Sequence, residues 1–190
     1  MKEFEKLLKP DERWSIIGRM DRGRFHAITL REVHNAVAAL KVTATLPPEV
    51  AEQFELARDL YVHAWYVYDF LAPADLQTLA TLELALRRRL AVPPTSFGPG
   101  LKKLLQRALD EGILTEADLA AAGVPAPFTK ADYEKSAVLG VLTAHTSYPE
   151  RAVKFLSGFR NELGHGNRLL LPSSLTILRA VSVLLSKLFA

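Results

Sequence analysis

The 190-residue chain contains no cysteine. Disulfides, zinc–thiolate sites, iron–sulfur clusters and cysteine nucleophiles are therefore excluded. The first six residues carry no apolar stretch of the kind that a secretory signal requires. The longest run without Asp, Glu, Lys or Arg extends from Ser136 to Pro149 and is too short and too polar to cross a membrane. A soluble cytoplasmic protein without membrane association is expected.

The chain has only a small excess of basic over acidic residues. The 24 Lys and Arg residues against 21 Asp and Glu residues give a net charge of +3, and 49% of the residues are hydrophobic. Such a composition is typical of a folded globular protein, and the small basic excess favours nucleic-acid binding only slightly. The basic residues do form clusters, which are either solvated helix ends and turns or a nucleic-acid surface. The candidates for such a surface are Arg88, Arg89, Lys102 and Lys103.

Helical periodicity runs through most of the chain. From Val50 to Leu71, apolar residues recur every three or four positions, which is the period of a helix rather than of a strand. Pro73 predicts a break, and a second long helix is expected to follow to about Ala91. Because only residues 72–74 would join these two helices, we expect them to form an antiparallel hairpin.

Turn and capping signals predict the remaining elements. Thr29 and Glu32 form a capping-box pattern that begins a helix ending near Lys41. Two short helices and a turn at residues 21–24 are expected before it. Further helices are expected over 101–111, 115–123, 129–143, 149–164 and from 172 to the end. We therefore predict an all-α protein, with an N-terminal extension of short helices over residues 1–46 and a main helical domain over residues 47–190.

One acidic residue falls within an apolar stripe of the second long helix. At about 100° per residue, Leu79, Leu82 and Leu86 share one side of the helix. Glu83 lies among them, with Arg87 at the edge of the stripe. Burying a carboxylate is costly unless a cation pairs with it. Glu83 therefore either forms an intrahelical pair with Arg87 or holds a cationic site residue from another helix.

An arginine, an asparagine and a histidine stand close together near the C-terminus, in the segment Arg160-Asn161-Glu162-Leu163-Gly164-His165. Along a straight helix, Arg160 and His165 would diverge by about 140°. Gly164 is a suitable residue for ending a helix in a left-handed conformation. We expect such an ending to let His165 swing back toward Arg160.

These three residue types suit the chemistry of a phosphodiester. A guanidinium binds phosphate through two parallel hydrogen bonds and stabilises the additional charge of the transition state. Histidine exchanges protons near neutral pH, and asparagine can orient either partner. The alternative interpretation is a helix C-cap, in which the cations interact with the negative end of the helix dipole.

The segment Arg160–His165 resembles the R-x(4–6)-H signature, with a polar residue after the arginine, of the HEPN superfamily (higher eukaryotes and prokaryotes nucleotide-binding domains). Residues 82–90 are similar to the second-helix signature of the family, an acidic residue followed by Leu and Arg. Residues 97–114 resemble the segment often found between the two. The resemblance covers roughly residues 50–190 and implies a HEPN-like helical bundle that often dimerises with the two motifs facing each other.

The resemblance also implies a function, since many HEPN proteins are metal-independent ribonucleases of toxin–antitoxin, abortive-infection and CRISPR-linked defence systems. By this similarity Arg160 and His165 would be catalytic, Asn161 would support them, and Glu83 with Arg87 would orient the arginine. Attack by the RNA 2′-hydroxyl would leave a 2′,3′-cyclic phosphate and a 5′-hydroxyl, without a metal or cofactor. The expected partners are RNA, a second copy of the chain in a homodimer, and a protein antitoxin or regulator.

This chain departs from part of the family at residue 167. It is Asn, whereas members paired with a nucleotidyltransferase antitoxin carry Tyr two residues after the histidine, so modification there is not expected. The family also contains non-catalytic modules that bind RNA, nucleotides or proteins. Three hypotheses follow: a HEPN-type ribonuclease, a silent HEPN-like binding module, and a helical interaction protein whose motif is only a cap. Exposed and converging Arg160 and His165 side chains favour the first two hypotheses, whereas a buried or splayed arrangement favours the third.

Overall fold

The computed structural model describes residues 2–93, 98–127, 146–166 and 174–190. Within these ranges the chain is mostly helical, which confirms the predicted all-α class, apart from one small two-stranded sheet. The α-helices are α1 (Leu30–Ala38), α2 (Pro48–His63), α3 (Leu71–Arg89), α4 (Leu101–Asp110), α5 (Glu116–Ala121), α6 (Tyr148–Gly164) and α7 (Ser174–Leu188). Short 3-10 helices cover Phe4–Lys6, Glu12–Ile16 and Tyr68–Phe70, and the strands are β1 (Gly18–Asp21) and β2 (Arg24–Ala27).

Helix α3 is the central element of the core. It packs against α2, α4, α6 and α7. The predicted stripe of Leu79, Leu82 and Leu86 is fully buried against these neighbours. None of the helices in the described ranges is long and apolar enough to span a membrane. Because four helices surround α3, any polar group on its inner side must find its partners among them.

The connection between α2 and α3 differs from the prediction. Helix α2 ends at His63 rather than near Leu71, and residues 64–70 join it to α3. Pro73 does not break a helix but is the third residue of α3, where a backbone N–H has no partner within the helix in any case. The two helices are antiparallel neighbours as predicted, because Glu49 at the start of α2 pairs with Arg88 at the end of α3.

Most of the predicted start and stop signals are confirmed. Thr29 forms the capping box of α1, and Thr115 forms that of α5. Gly112 and Gly123 follow α4 and α5 with positive φ angles. The main difference is that α1 ends at Ala38, about one turn earlier than expected. The predicted helix over 129–143 lies outside the described residues.

In the N-terminal extension, a β-hairpin replaces part of the expected helical structure. Strands β1 and β2 pair in antiparallel register over residues 18–27. The turn residues Arg22 and Gly23 have φ angles of 47° and 78°, as tight two-residue hairpins require. The predicted turn is thus correct. The strands on either side have only four residues each, which is too short for a reliable period-2 signal.

An aromatic cluster holds the N-terminal segment against the α2–α3 connection. The buried Trp14 ring packs against Trp65 and Tyr68, with ring centroids 5.6 and 5.2 Å away. Its indole N–H donates to the carbonyl oxygen of Ala64 at 2.8 Å. Residues Val37, Leu40 and Leu46 belong to the main core. The domain boundary between residues 46 and 47 stays a prediction.

Candidate functional site

The acidic residue of the apolar stripe lies at the centre of the candidate site. Only 15% of the Glu83 side chain is exposed. Leu82 and Leu86, beside it on α3, are fully buried. A carboxylate in such surroundings stays charged only if cations compensate the loss of water. Among the described residues, Glu83 has two such partners.

The first partner of Glu83 is Arg87, one turn further along α3. The Arg87 Nη2 donates to Glu83 Oε1 at 3.0 Å and to the carbonyl oxygen of Pro99 at 2.8 Å. Its side chain is as little exposed as that of Glu83. Arg87 therefore fixes Glu83 and at the same time ties α3 to the segment before α4. Pro99 was beyond the reach of sequence reasoning, since any residue type supplies a backbone carbonyl.

The second partner of Glu83 comes from α6. The Nε atom of Arg160 lies 3.7 Å from Glu83 Oε2, which is an ion-pair distance rather than a hydrogen bond. The two oxygens of one carboxylate thus face arginines from two helices. The Arg160 side chain is 40% exposed, so it extends from the carboxylate to the surface. Both interpretations of Glu83 apply at the same time, since it pairs with Arg87 within α3 and with Arg160 on α6.

The end of α6 corrects one expectation. Gly164 is the last helical residue and does not adopt a left-handed conformation. The backbone N–H of His165 donates to the Asn161 oxygen at 2.9 Å, and the positive φ of 82° occurs at Gly166. The rotation of about 140° between positions 160 and 165 therefore persists. The helix ending does not swing His165 back toward Arg160, because the chain reverses only after the histidine.

The Arg160 side chain nevertheless runs toward this helix end. Its Nη1 atom lies 3.8 Å from the position that a Cβ atom on Gly164 would occupy. Asn161 and His165 are exposed. In the described part of the chain, the His165 side chain makes no hydrogen bond or ion pair. All three motif residues are thus accessible to a ligand at one end of α6.

The predicted nucleic-acid residues lie at two neighbouring helix ends. Arg88 and Arg89 are exposed in the last turn of α3, and Lys102 and Lys103 are exposed in the first turn of α4. Arg88 pairs with Glu49 on α2 at 2.7 Å. Within the described ranges the other three cations make no ion pair. The link from Arg87 to Pro99 holds these two helix ends together.

Metal ligands were also sought among the described residues. No group of three or more His, Asp and Glu side chains there is placed to hold a metal ion. Asn167, two positions after the motif histidine, lies outside the described ranges, as does Phe97 in the segment that resembles the middle of the HEPN pattern.

Comparison of the chain with protein-family models, curated proteins and solved structures found no match. The HEPN resemblance therefore depends on the motif residues themselves. Their geometry consists of a half-buried carboxylate on α3, a partly exposed arginine on α6 that pairs with it, and an exposed histidine at the end of α6.

Proposed function

We propose that the protein is a HEPN-type, metal-independent endoribonuclease that acts as a homodimer in a toxin–antitoxin or phage-defence setting. The observation that carries the proposal is the ion pair between the half-buried Glu83 and the partly exposed Arg160 of another helix. A cation that serves only as a helix cap has no need of a buried carboxylate on another helix. A cation that must be held in one orientation for a ligand does need such a partner.

In this proposal Arg160 binds the phosphate that is cleaved. Its Nε faces Glu83, which leaves the two Nη nitrogens for phosphate oxygens. Glu83 restricts the rotation of the guanidinium and is itself held by Arg87. A fixed guanidinium stabilises the additional negative charge of the transition state without reorganising during the reaction.

The proposed reaction needs no water or metal. The 2′-oxygen of the RNA bonds to the adjacent phosphorus, and the bond from phosphorus to the 5′-oxygen breaks. The 2′-hydroxyl loses its proton and the 5′-oxygen gains one, so that the products are a 2′,3′-cyclic phosphate and a 5′-hydroxyl. His165 exchanges a proton at one of these oxygens, and Asn161, one turn before it, orients the histidine or the RNA.

The proposal includes a homodimer because the course of α6 keeps Arg160 and His165 of one protomer apart. Within one protomer, Arg160 and His165 project from different sides of the helix. A two-fold axis that places two such helix ends face to face lets the arginine of one protomer and the histidine of the other reach one phosphate. The cations Arg89, Lys102 and Lys103, which make no ion pair within the described ranges, are then available for the flanking RNA phosphates.

The test is cleavage of a mixed-sequence single-stranded RNA in EDTA. The wild type is expected to cleave and to leave cyclic phosphate ends. Arg160→Ala and His165→Ala are each expected to lose at least about 100-fold, the usual contribution of such groups. The control is the double variant Arg31→Ala/His34→Ala, which removes the same residue types from exposed positions of α1 and is expected to retain activity. Cleavage that persists in the Arg160 and His165 variants contradicts the proposal.

A second candidate function is a silent HEPN-like module that binds RNA, a nucleotide or a protein partner. The observation that favours it is the separation of Arg160 and His165 around α6, since phosphate binding needs only the arginine. RNA binding without cleavage, measured by fluorescence anisotropy and weakened by Arg160→Ala but not by His165→Ala, supports this candidate over the nuclease.

A further inference from the structure

Exposed large apolar side chains are concentrated in the N-terminal segment of the protein. Residues 4–25 contain six of them, whereas the remaining described residues contain only Leu56 and Phe70. Exposed apolar residues that form a contiguous patch often mark an interaction site, whereas single exposed residues are ordinary. The six residues are Phe4, Leu7, Leu8, Ile16, Met20 and Phe25.

Two of these residues lie on the β-hairpin. Met20 is opposite Phe25 in the β1–β2 register, and since side chains alternate along a strand, both project from one face. Arg19 and Asp21 project from the other face. Every residue of both strands is exposed. A two-stranded hairpin by itself is at best marginally stable in water, and an additional strand on a free edge would add backbone hydrogen bonds to this one.

The hydrogen bonds of the hairpin show which groups of β1 face its open edge. The N–H of Ile28 donates to the Ile17 oxygen at 2.9 Å, one position beyond the ladder. Because bonded and non-bonded pairs alternate in an antiparallel ladder, the odd-numbered residues of β1 bond to β2. Gly18 and Met20 direct their N–H and C=O groups outward. In the described ranges, no other group forms a hydrogen bond with them.

We propose that this edge of β1 pairs with the same edge of a second copy of the chain. With the two-fold axis at Met20, each Met20 exchanges both backbone hydrogen bonds with its counterpart. Arg19, whose guanidinium also pairs with Glu32 of α1 in the same protomer, then stands opposite Asp21 of the second copy, and Asp21 stands opposite its Arg19. These are the non-hydrogen-bonded positions, where facing side chains approach most closely. The result is a four-stranded sheet with two ion pairs on one face and a row of Phe25 and Met20 side chains on the other.

The charges select this register over its neighbours. Moving one strand by two residues places Arg19 opposite Arg19, or Asp21 opposite Asp21, depending on the direction. Moving it by one residue leaves the outward N–H and C=O groups without partners. Pairing through the edge of β2 around Phe25 places Arg24 opposite His26, which offers no opposite charge. The β1 edge is self-complementary in a single register. This interface is separate from the end of α6 and does not depend on the proposed nuclease.

A probe for the test lies on the proposed axis. The chain contains two methionines, Met1 and Met20, so ¹³C-methyl labelling of methionine gives two NMR signals, and Met20→Ala identifies which belongs to Met20. In the wild type the Met20 signal is expected to shift with protein concentration, in parallel with the mass measured by sedimentation equilibrium. Arg22→Asp is the matched control. It makes the same charge change in the same hairpin but stands opposite Gly18, and it is expected to associate like the wild type.

The decisive comparison uses two complementary charge variants. Arg19→Asp places like charges opposite each other twice and is expected to weaken self-association at least about tenfold. The double variant Asp21→Arg/Arg24→Asp places two positive charges opposite each other twice, while it keeps opposite charges at the facing positions 21 and 24 of the hairpin. Mixing the labelled first variant with the unlabelled second is expected to restore the concentration-dependent shift, since every facing pair is then of opposite charge.

Two results overturn the proposal. The first is a Met20 signal and a mass that do not change with concentration in the wild type, which means that the charges on β1 protect its edge instead of pairing it. The second is association that Arg19→Asp does not weaken, or that mixing the two variants does not restore. The dimer proposed at the end of α6 does not include β1, so its formation changes the mass but not the Met20 signal, and the Met20 signal therefore decides whether β1 pairs.

Discussion

Replacing Glu83 by glutamine tests the site most directly, because it removes the charge while keeping the shape and one acceptor oxygen. A hydrogen bond to a charged group contributes about 1.5–3 kcal/mol, and the bond from Arg87 is mostly buried. An exposed ion pair contributes about 0–1 kcal/mol, which applies to Arg160 at 3.7 Å and 40% exposure. Since the amide oxygen still accepts from Arg87, we expect Glu83→Gln to lower the free energy of unfolding by about 1–2 kcal/mol.

The assay is urea denaturation of single and double variants, arranged as two double-mutant cycles. One cycle combines Glu83→Gln with Arg87→Met, and the other combines it with Arg160→Met. The coupling of Glu83 to Arg87 is expected to exceed its coupling to Arg160, since the shorter and more buried contact is screened less. Arg160→Met alone is expected to lower the free energy of unfolding by less than about 1 kcal/mol, although under the proposed function it is expected to abolish RNA cleavage.

Two results would refute this reasoning. If Glu83→Gln is as stable as the wild type, the carboxylate does not hold the two helices. If the coupling of Glu83 to Arg160 is the larger one, then Arg160 and not Arg87 is the principal partner. The separation of stability from activity in Arg160→Met is the feature that distinguishes a site residue from a structural cation.

Three further predictions concern other parts of the fold. Hydrogen bonds from Arg13 hold the pKa of the Asp11 carboxyl well below its usual range, so Asp11→Asn is expected to lower the melting temperature at pH 7, by a difference that shrinks as the pH falls below about 4. A Cβ atom on Gly18 would lie 2.1 Å from the His26 oxygen, so Gly18→Ala is expected to open the hairpin locally, seen as faster amide exchange in β2 with little change in global stability. Burial raises the pKa of Tyr61 to about 12, and because the unfolded chain ionises first, stability is expected to fall as the pH rises above about 10, a loss that Tyr61→Phe removes.

Several features of this protein follow from short segments of the sequence. The caps at Thr29 and Thr115 and the buried leucine stripe of α3 involve residues within one or two helical turns of each other. Their geometry is set by the helical period and by the chemistry of helix ends. The same periodicity shows that Glu83 faces inward, and a buried carboxylate by itself predicts that cationic partners exist.

The local sequence did not determine the structure where a residue fits two local conformations equally well. Pro73 fits the first turn of a helix as well as the end of one, so packing against the core decided where α2 ends and α3 begins. Gly164 and Gly166 are both able to reverse the chain after α6, and the structure uses the second. The position of His165 relative to Arg160 depends on that choice.

The sequence by itself determined the helical class, the inward carboxylate and the presence of an arginine–histidine motif, because each depends on residues close together in the chain. Only the tertiary structure decided that Arg160 is the cation facing Glu83 from another helix, that Arg87 also binds the Pro99 carbonyl, and that the N-terminal hairpin places β1 at a sheet edge. Such contacts join residues far apart in sequence or involve backbone groups. They depend on how the helices pack, which no local pattern specifies.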